Sequence, residues 1–174
     1  MTMLEDLSAW LRRWRLVWLI GVAASLCSAA SAAGPEVLHA LTSSETVVGA
    51  LVQGPDGQLY GTALGGQHRR GMVFRVEADG QLAALHDFDG RDGESPLGLV
   101  LAPDGDFYGV TGSGGEFGAG AAFRIDTDGR FKLLRSFRRS TTEGGLPRAT
   151  LLLASDGHFY GTTLVGGAAD RGTV

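Results

Sequence analysis

Side chains able to do chemistry are few in this sequence, and their spacing argues against most familiar reactions. The four histidines, His39, His68, His86 and His158, stand far apart. None falls in H-E-x-x-H, the spacing that sets two imidazoles on one helix face to hold zinc beside a glutamate base. The single cysteine, Cys27, leaves nothing to pair with in a disulfide and no thiolate cluster for a metal. Gly112-Ser113-Gly114-Gly115 is not a nucleophile elbow, because Thr111 stands where that motif needs glycine. No glycine run is followed by Lys-Ser or Lys-Thr, so no phosphate loop is present. The stretch Asp87-Phe88-Asp89-Gly90-Arg91-Asp92-Gly93 is rich in acids but lacks the alternation and the distant glutamate of a calcium loop. The aligned stretch further on, Ser136-Phe137-Arg138-Arg139, has no acid at all. The expectation is therefore no catalytic residue, no metal ligand and no cofactor.

Composition narrows the classes further. Of 174 residues, 15 are Lys or Arg and 19 are Asp or Glu, for a net charge of −4. A nucleic-acid partner is excluded on that balance, since such proteins carry a basic stripe and a high pI. Hydrophobic residues make up 44% and charged residues 20%, which excludes a disordered tail. The 28 glycines follow no G-X-Y period, so the chain is not collagen-like.

The first 33 residues read as a leader. Arg12, Arg13 and Arg15 precede the apolar run 16–26, and the small residues 28–33 follow it. Charged, apolar and small stretches in that order make a secretory signal peptide, with cleavage expected near Ala33. The apolar run falls short of the ~20 residues of a membrane span. The expected location is thus secreted, periplasmic or at the cell surface, with membrane contact only through an uncleaved leader.

The remainder is one unit repeated, and repeats of this length point to stacked supersecondary units. Tyr60, Tyr108 and Tyr160 recur in the same context, as do Asp56-Gly57, Asp104-Gly105 and Asp156-Gly157. Phe74 matches Phe123, Pro96 matches Pro147, and 37–41 matches the end of a unit. His39 and His86 share one repeat position, which points to a structural role. The expected divisions are a leader at 1–33, an orphan fourth strand and linker at 34–49, repeats at 50–98 and 99–148, and a partial third repeat at 149–174. Within the first unit the spacing predicts strands over about 50–54, 58–63, 72–78 and 81–88, with a glycine-rich loop at 65–71. Asp-Gly pairs between short apolar runs predict type I′ hairpin turns. Met72, Phe74 and Val76 alternate with Val73, Arg75 and Glu77, the period of a half-buried strand. The fold class expected is all-β: a partial, propeller-like array of about 2.5–3 four-stranded antiparallel meanders, or an open solenoid, preceded by a leader helix. Propellers close with four to eight blades, so the sequence is expected to be the N-terminal part of a longer protein, packing as an open wedge.

The recurring string resembles the GloVer (Gloeo/Verruco) tandem repeat of choice-of-anchor repeat proteins. Its carriers are Leu59-Tyr60-Gly61-Thr62, Gly65-Gly66, Gly71 and Val73-Phe74-Arg75, then Phe159-Tyr160-Gly161-Thr162-Thr163, Gly166-Gly167 and Gly172-Thr173-Val174. The middle unit, with Tyr108-Gly109 and Phe123, departs at Val110 and Ala122. The resemblance implies an exported bacterial repeat protein with an anchoring segment, and carries no catalytic residue with it.

Any ligand is expected at one end of the array. In an up-and-down meander, the second-to-third connections and those leading to the next unit share an end. That end carries the long, unlike sequences, and binding groups favour such loops on a rigid scaffold. The candidate residues are His68, Arg69, Arg70, Arg91, Glu116, Phe117, Arg138, Arg139, Asp170 and Arg171. Tyr60, Gly61, Phe74, Tyr108, Gly109, Phe123, Tyr160 and Gly161 are read as structural. The expected function is a non-enzymatic interaction module for an unknown extracellular ligand, or for none. The alternative is a propeller lyase or hydrolase acting on an extracellular polymer, with its active residues in other blades.

Overall fold

The computed structural model describes residues 46–174. The leader at 1–33 and the strand expected at 37–41 lie outside the described residues. Strands β1 (Thr46–Gln53), β2 (Leu59–Leu64), β3 (Met72–Val76) and β4 (Leu82–Asp87) pair antiparallel in chain order as one sheet. Strands β5 (Glu94–Leu101), β6 (Phe107–Ser113), β7 (Ala121–Ile125) and β8 (Phe131–Ser136) make a second sheet of the same order. In the third unit, β9 (Gly144–Pro147) pairs with β12 (Thr163–Gly166), and β10 (Leu152–Leu153) pairs with β11 (Phe159–Tyr160). No helix occurs among the described residues, and the sheets do not close into a ring.

Strand β1 begins at Thr46, four residues before the expected start, because a bulge lets it continue. Its register against β2 jumps between Val48 and Val52, and Gly49 inside the bulge is left-handed at φ +77°. The extra residues leave Val48 facing Thr62, whose hydroxyl donates to the Val48 carbonyl at 2.8 Å. Strand β5 has a smaller irregularity, one extra residue between Pro96 and Gly98. In the third unit it widens into a break between β9 and β10.

The Asp-Gly turns are not of type I′. Only the glycines are left-handed, with φ of +81° at Gly57, +83° at Gly80, +87° at Gly105, +84° at Gly129 and +81° at Gly157. In the first turn, the Gly57 N–H donates to the Gly54 carbonyl at 3.0 Å and the Gly54 N–H to the Gln58 carbonyl at 2.8 Å. The same two bonds recur in 77–81, 102–106, 126–130 and 154–158. This is a type I turn closed by a left-handed glycine, the three-residue hairpin loop. The loop is one residue longer than Asp-Gly alone, so Asp56 sits at the second corner with ordinary φ. Pro55 and Pro103 pre-set the first corner, where proline's fixed φ suits type I and forbids type I′. The aspartate side chain then turns back to accept from the backbone two residues on, as Gln58 N–H to Asp56 Oδ1 at 3.1 Å and His158 N–H to Asp156 Oδ1 at 3.0 Å.

The Tyr-Gly pair of each unit is explained by the two faces of its sheet. Tyr60 and Val73 point toward the next unit, where they join Phe88, Leu99, Phe107, Phe123 and Ile125 in one buried cluster. Gly61 points the other way, opposite Phe74 on β3. A Cβ on Gly61 would stand 2.6 Å from Phe74 Cζ, so glycine makes the seat for that ring. Gly109 seats Phe123 in the same register.

The seams between units repeat. Tyr60 meets Phe107 with ring centroids 4.4 Å apart, and Tyr108 meets Phe159 at 4.6 Å. Such aromatic pairs are worth about 0.5–1.5 kcal/mol beyond their burial. The Ser95 N–H donates to the Arg70 carbonyl, and the Leu146 N–H to the Ala119 carbonyl, both at 2.7 Å. Beside each bond a proline ring lies on a glycine: Pro96 on Gly71, and Pro147 on Gly120.

Gly105 and Gly120 are both left-handed, but nothing stands within 4 Å of a Cβ at Gly105, whereas one at Gly120 would meet the Thr111 carbonyl of its own sheet and, across the seam, Pro147 Cδ at 2.7 Å. Gly105→Ala is expected to lose about 1 kcal/mol from backbone strain alone. Gly120→Ala is expected to lose a further ~1–3 kcal/mol by crowding the Thr111 carbonyl and the Pro147 ring together. Urea unfolding of the two variants measures the difference, and equal losses would refute close packing around Gly120.

Candidate functional site

The glycine-rich loop between the second and third strands of each unit has a single backbone design in three copies. In the first, Gly65, Gly66, Arg69 and Gly71 are left-handed. Gly114, Gly115, Gly118 and Gly120 repeat the pattern, and so do Gly166, Gly167, Asp170 and Gly172. Each loop is closed by a bond from its last glycine to its first: Gly71 N–H to Gly65 carbonyl at 2.9 Å, Gly120 to Gly114 at 2.9 Å, Gly172 to Gly166 at 3.1 Å. A second, inner bond recurs from Arg69 to Gly66, Gly118 to Gly115, and Asp170 to Gly167. Four left-handed positions within seven residues explain the glycine content here, since other residues adopt that conformation at a cost.

Between these closures the tips differ. Gln67, His68, Arg69 and Arg70 crown the first loop, all exposed. Glu116, Phe117 and Gly118 crown the second, and Ala168, Ala169, Asp170 and Arg171 the third. The loops rest on the connections between units. The Gly115 N–H donates to the Gly90 carbonyl at 2.9 Å, and the Gly167 N–H to the Ser140 carbonyl at 3.0 Å. The fold therefore gathers 65–71, 88–93, 114–120, 137–143 and 166–172 at one end.

Half of the candidate residues are used to tie this end together. Arg70 pairs with Glu94 at 2.6 Å. The Arg138 guanidinium lies 3.9 Å over the Phe117 ring, a cation–π contact. Arg139 pairs with Asp170, whose carboxyl that guanidinium holds below the usual aspartate range. Among the described residues, His68, Arg69, Arg91, Glu116 and Arg171 make no side-chain hydrogen bond or ion pair, and all five are exposed. These are the residues the end presents to solvent. Exposed ion pairs of this kind are worth about 0–1 kcal/mol each, so they orient loops more than they stabilise the fold.

Sequence reasoning missed the residues that hold these tips from below. Asp87 Oδ1 accepts from the Gln67 N–H at 2.7 Å, and Ser136 Oγ accepts from the Glu116 N–H at 3.1 Å. Asp87 and Ser136 hold equivalent places at the ends of β4 and β8, which was the available signal. His86, read as structural, bonds Asp92 through Nε2 at 2.7 Å and stacks on Phe131 at a centroid distance of 3.7 Å.

The tyrosines lie at the opposite end, beside the tight turns. The Tyr60 hydroxyl donates to Asp56 Oδ2 at 2.7 Å, Tyr108 to Asp104 at 2.7 Å, and Tyr160 to Asp156 at 2.8 Å. Each carboxylate is held below its ordinary pKa, Asp56 and Asp104 chiefly by the tyrosine bond and Asp156 chiefly by the His158 backbone bond. Burial, then the bond to Asp56, pushes Tyr60 up to about 12. The bond to its own aspartate raises Tyr108 and Tyr160. Depressed acids and raised phenols suit a latch, not proton transfer near neutrality.

Residues 27–174 match the family model described as the Gloeobacter/Verrucomicrobia repeat. No curated protein matches the chain.

The chain's three tyrosines are these three, so ultraviolet titration reads the latches alone. All three are expected to ionise above pH 10, Tyr60 last, near pH 12. The latch contribution of Tyr60 is complete below pH 10 and is lost as pH rises toward 12; that of the aspartates is present above about pH 4 and is lost as pH falls through their lowered values. Tyr60→Phe is expected to cost about 1 kcal/mol at neutral pH in urea unfolding, and Tyr160→Phe, at an exposed position, far less. A Tyr60 that titrates with the others near pH 10 would sink this account.

Proposed function

Because the chain belongs to the Gloeobacter/Verrucomicrobia repeat family, we propose that it works as an exported, non-enzymatic interaction module. One observation carries the reading: a single loop backbone is built three times at one end of the array, and each copy holds up different exposed side chains. A scaffold that fixes loop shape while leaving tip chemistry open suits recognition. The unpaired candidates at this end are His68, Arg69, Glu116 and Arg171 on the tips and Arg91 on a connection between units, four basic or imidazole groups and one acid. The leader-like sequence at 1–33 supports export, and the surface of a cell or its surroundings supplies the ligand.

Two measurements test this. Expressed whole in a bacterial host, the chain is expected outside the cytoplasm with a new N-terminus near residue 34, and Leu19→Arg is expected to keep it inside by breaking the apolar run. Cytoplasmic retention of the unchanged chain would refute export. The double variant Arg69→Glu and Arg171→Glu is expected to weaken retention on the producing cell's surface at least tenfold, with urea unfolding unchanged. Undiminished retention would remove the loops from recognition.

A further inference from the structure

The net charge of −4 is unevenly placed. The five tight turns, 54–58, 77–81, 102–106, 126–130 and 154–158, hold eight acids and one arginine. The five stretches gathered at the loop end hold six arginines and five acids, so the acid surplus lies at the turn end. Most acids of the loop end are also turned toward donors of the chain. Asp92 accepts from the Asp89 N–H at 3.0 Å and bonds His86, while Asp89 accepts from the Arg91 N–H at 2.7 Å. Glu143 pairs with Arg135 at 2.7 Å, and Asp170 pairs with Arg139. At the margins Asp87 holds the Gln67 N–H and Glu94 holds Arg70. Among the described residues, Glu116 alone of these acids makes no side-chain bond, whereas Arg69, Arg91 and Arg171 make none and Arg138 meets only the Phe117 ring. Four guanidiniums thus face solvent without a carboxylate partner.

These groups stand in a row. The Arg70 side chain lies against Gly90, where a Cβ would stand 3.0 Å from the guanidinium carbon. The Gly115 N–H bonds the Gly90 carbonyl, Arg138 covers Phe117, and Arg139 reaches Asp170. Loop 65–71, connection 88–93, loop 114–120, connection 137–143 and loop 166–172 therefore follow one another side by side. Arg69, Arg91, Arg138 and Arg171 are distributed along this row, with the Phe117 ring, 42% exposed, in its middle loop.

A guanidinium binds a carboxylate or a sulfate through two parallel N–H bonds and is more weakly hydrated than an ammonium. One such contact at an exposed site is weak. Several on one rigid row reinforce each other when the ligand carries repeated anions on a single extended chain. The negative face of an aromatic ring attracts the C–H groups of a sugar. Single-stranded nucleic acid instead uses successive aromatic platforms, and Phe117 is the single exposed phenylalanine of the row.

We propose that the loop end binds an extended anionic polysaccharide, whose carboxylates or sulfates meet Arg69, Arg91, Arg138 and Arg171 and one of whose rings lies on Phe117. This rests on the recognition role given to these loops above and names the class of ligand they take. The acidic turn end repels the same polymer and so fixes which end it meets.

The full chain is titrated by calorimetry with polygalacturonate, dextran sulfate, uncharged dextran, polyglutamate and poly(dT). Saturable binding to polygalacturonate or dextran sulfate is expected, none to dextran, with affinity falling as salt rises. The tighter of the two identifies carboxylate or sulfate as the anion. Arg91→Gln with Arg138→Gln is expected to weaken binding about tenfold or more. Glu116→Gln and Gln81→Lys raise the net charge equally, one on the row and one at an exposed position beside a tight turn. The first is expected to tighten binding about twofold or more, and the second to leave it unchanged. Equal effects mean attraction to net charge alone and overturn the proposal. So does silence toward both anionic polysaccharides, or tighter binding of polyglutamate or poly(dT). Silence toward both, while Arg69→Glu with Arg171→Glu still loosens retention on cells, removes this proposal and leaves the recognition role standing.

Discussion

The backbones of successive sheets come close where a side chain is absent. Pro96 rests on Gly71 and Pro147 on Gly120 at distances no Cβ would allow. The same glycines close the loops above them, and the backbone bonds from Ser95 to Arg70 and from Leu146 to Ala119 lie beside them. One atom's absence thus fixes sheet spacing, loop shape and the hydrogen bonds between units together. Gly61 and Gly109 act likewise within a sheet, giving up a side chain on one face so that the Phe74 and Phe123 rings can reach over the backbone there. Glycine is costly in a strand for entropic reasons, and the cost is offset here by aromatic rings that settle onto bare backbone.

The tyrosine latch solves a second problem, at the other end. A hairpin that ends in a tight turn has few partners to hold it. The aspartate at the second corner accepts one bond from its own turn and one from a tyrosine four residues later. That tyrosine is also the ring that meets the next unit's Phe107 or Phe159. Turn geometry and packing between units are therefore coupled through one side chain, and the coupling weakens along the array as burial falls, from a fully covered Tyr60 to an exposed Tyr160. The raised phenol and lowered carboxylate are the electrostatic mark of that coupling.

Much of this was legible before any coordinates. Repeat length and the alternation of Met72, Phe74 and Val76 located the strands to within a few residues, because a period of two has one structural meaning. The turn type was not legible. Asp-Gly favours a two-residue loop in isolation, but every turn takes in the residue before it, Pro55 and Pro103 or Ala78, Thr127 and Ser155, and so widens by one residue. The early start of β1 was also hidden, since a bulge at Gly49 breaks the alternation that a sequence pattern relies on. The candidate loops were found as a set, yet their internal pairing was not: Arg139 with Asp170 and Arg138 over Phe117 join residues far apart in sequence, and only the stacking of units brings them together.

The two ends of the array consequently differ in what substitution can do. At the tight-turn end Asp56, Asp104 and Asp156 each bond a tyrosine and a backbone N–H of their own repeat, and the same Asp and Tyr recur. At the loop end the backbone is fixed by glycines, by carbonyls and by Asp87 and Ser136 from below, so His68, Arg69, Glu116 and Arg171 at the tips carry no side-chain bond of their own among the described residues. Changing Arg69 or Arg171 alters what the surface offers without altering how the loop is held. Changing Gly66 or Gly71 alters the loop itself. That separation of shape from chemistry, set up by left-handed glycines three times over, is what lets one repeat be copied along a chain while each copy shows a different face.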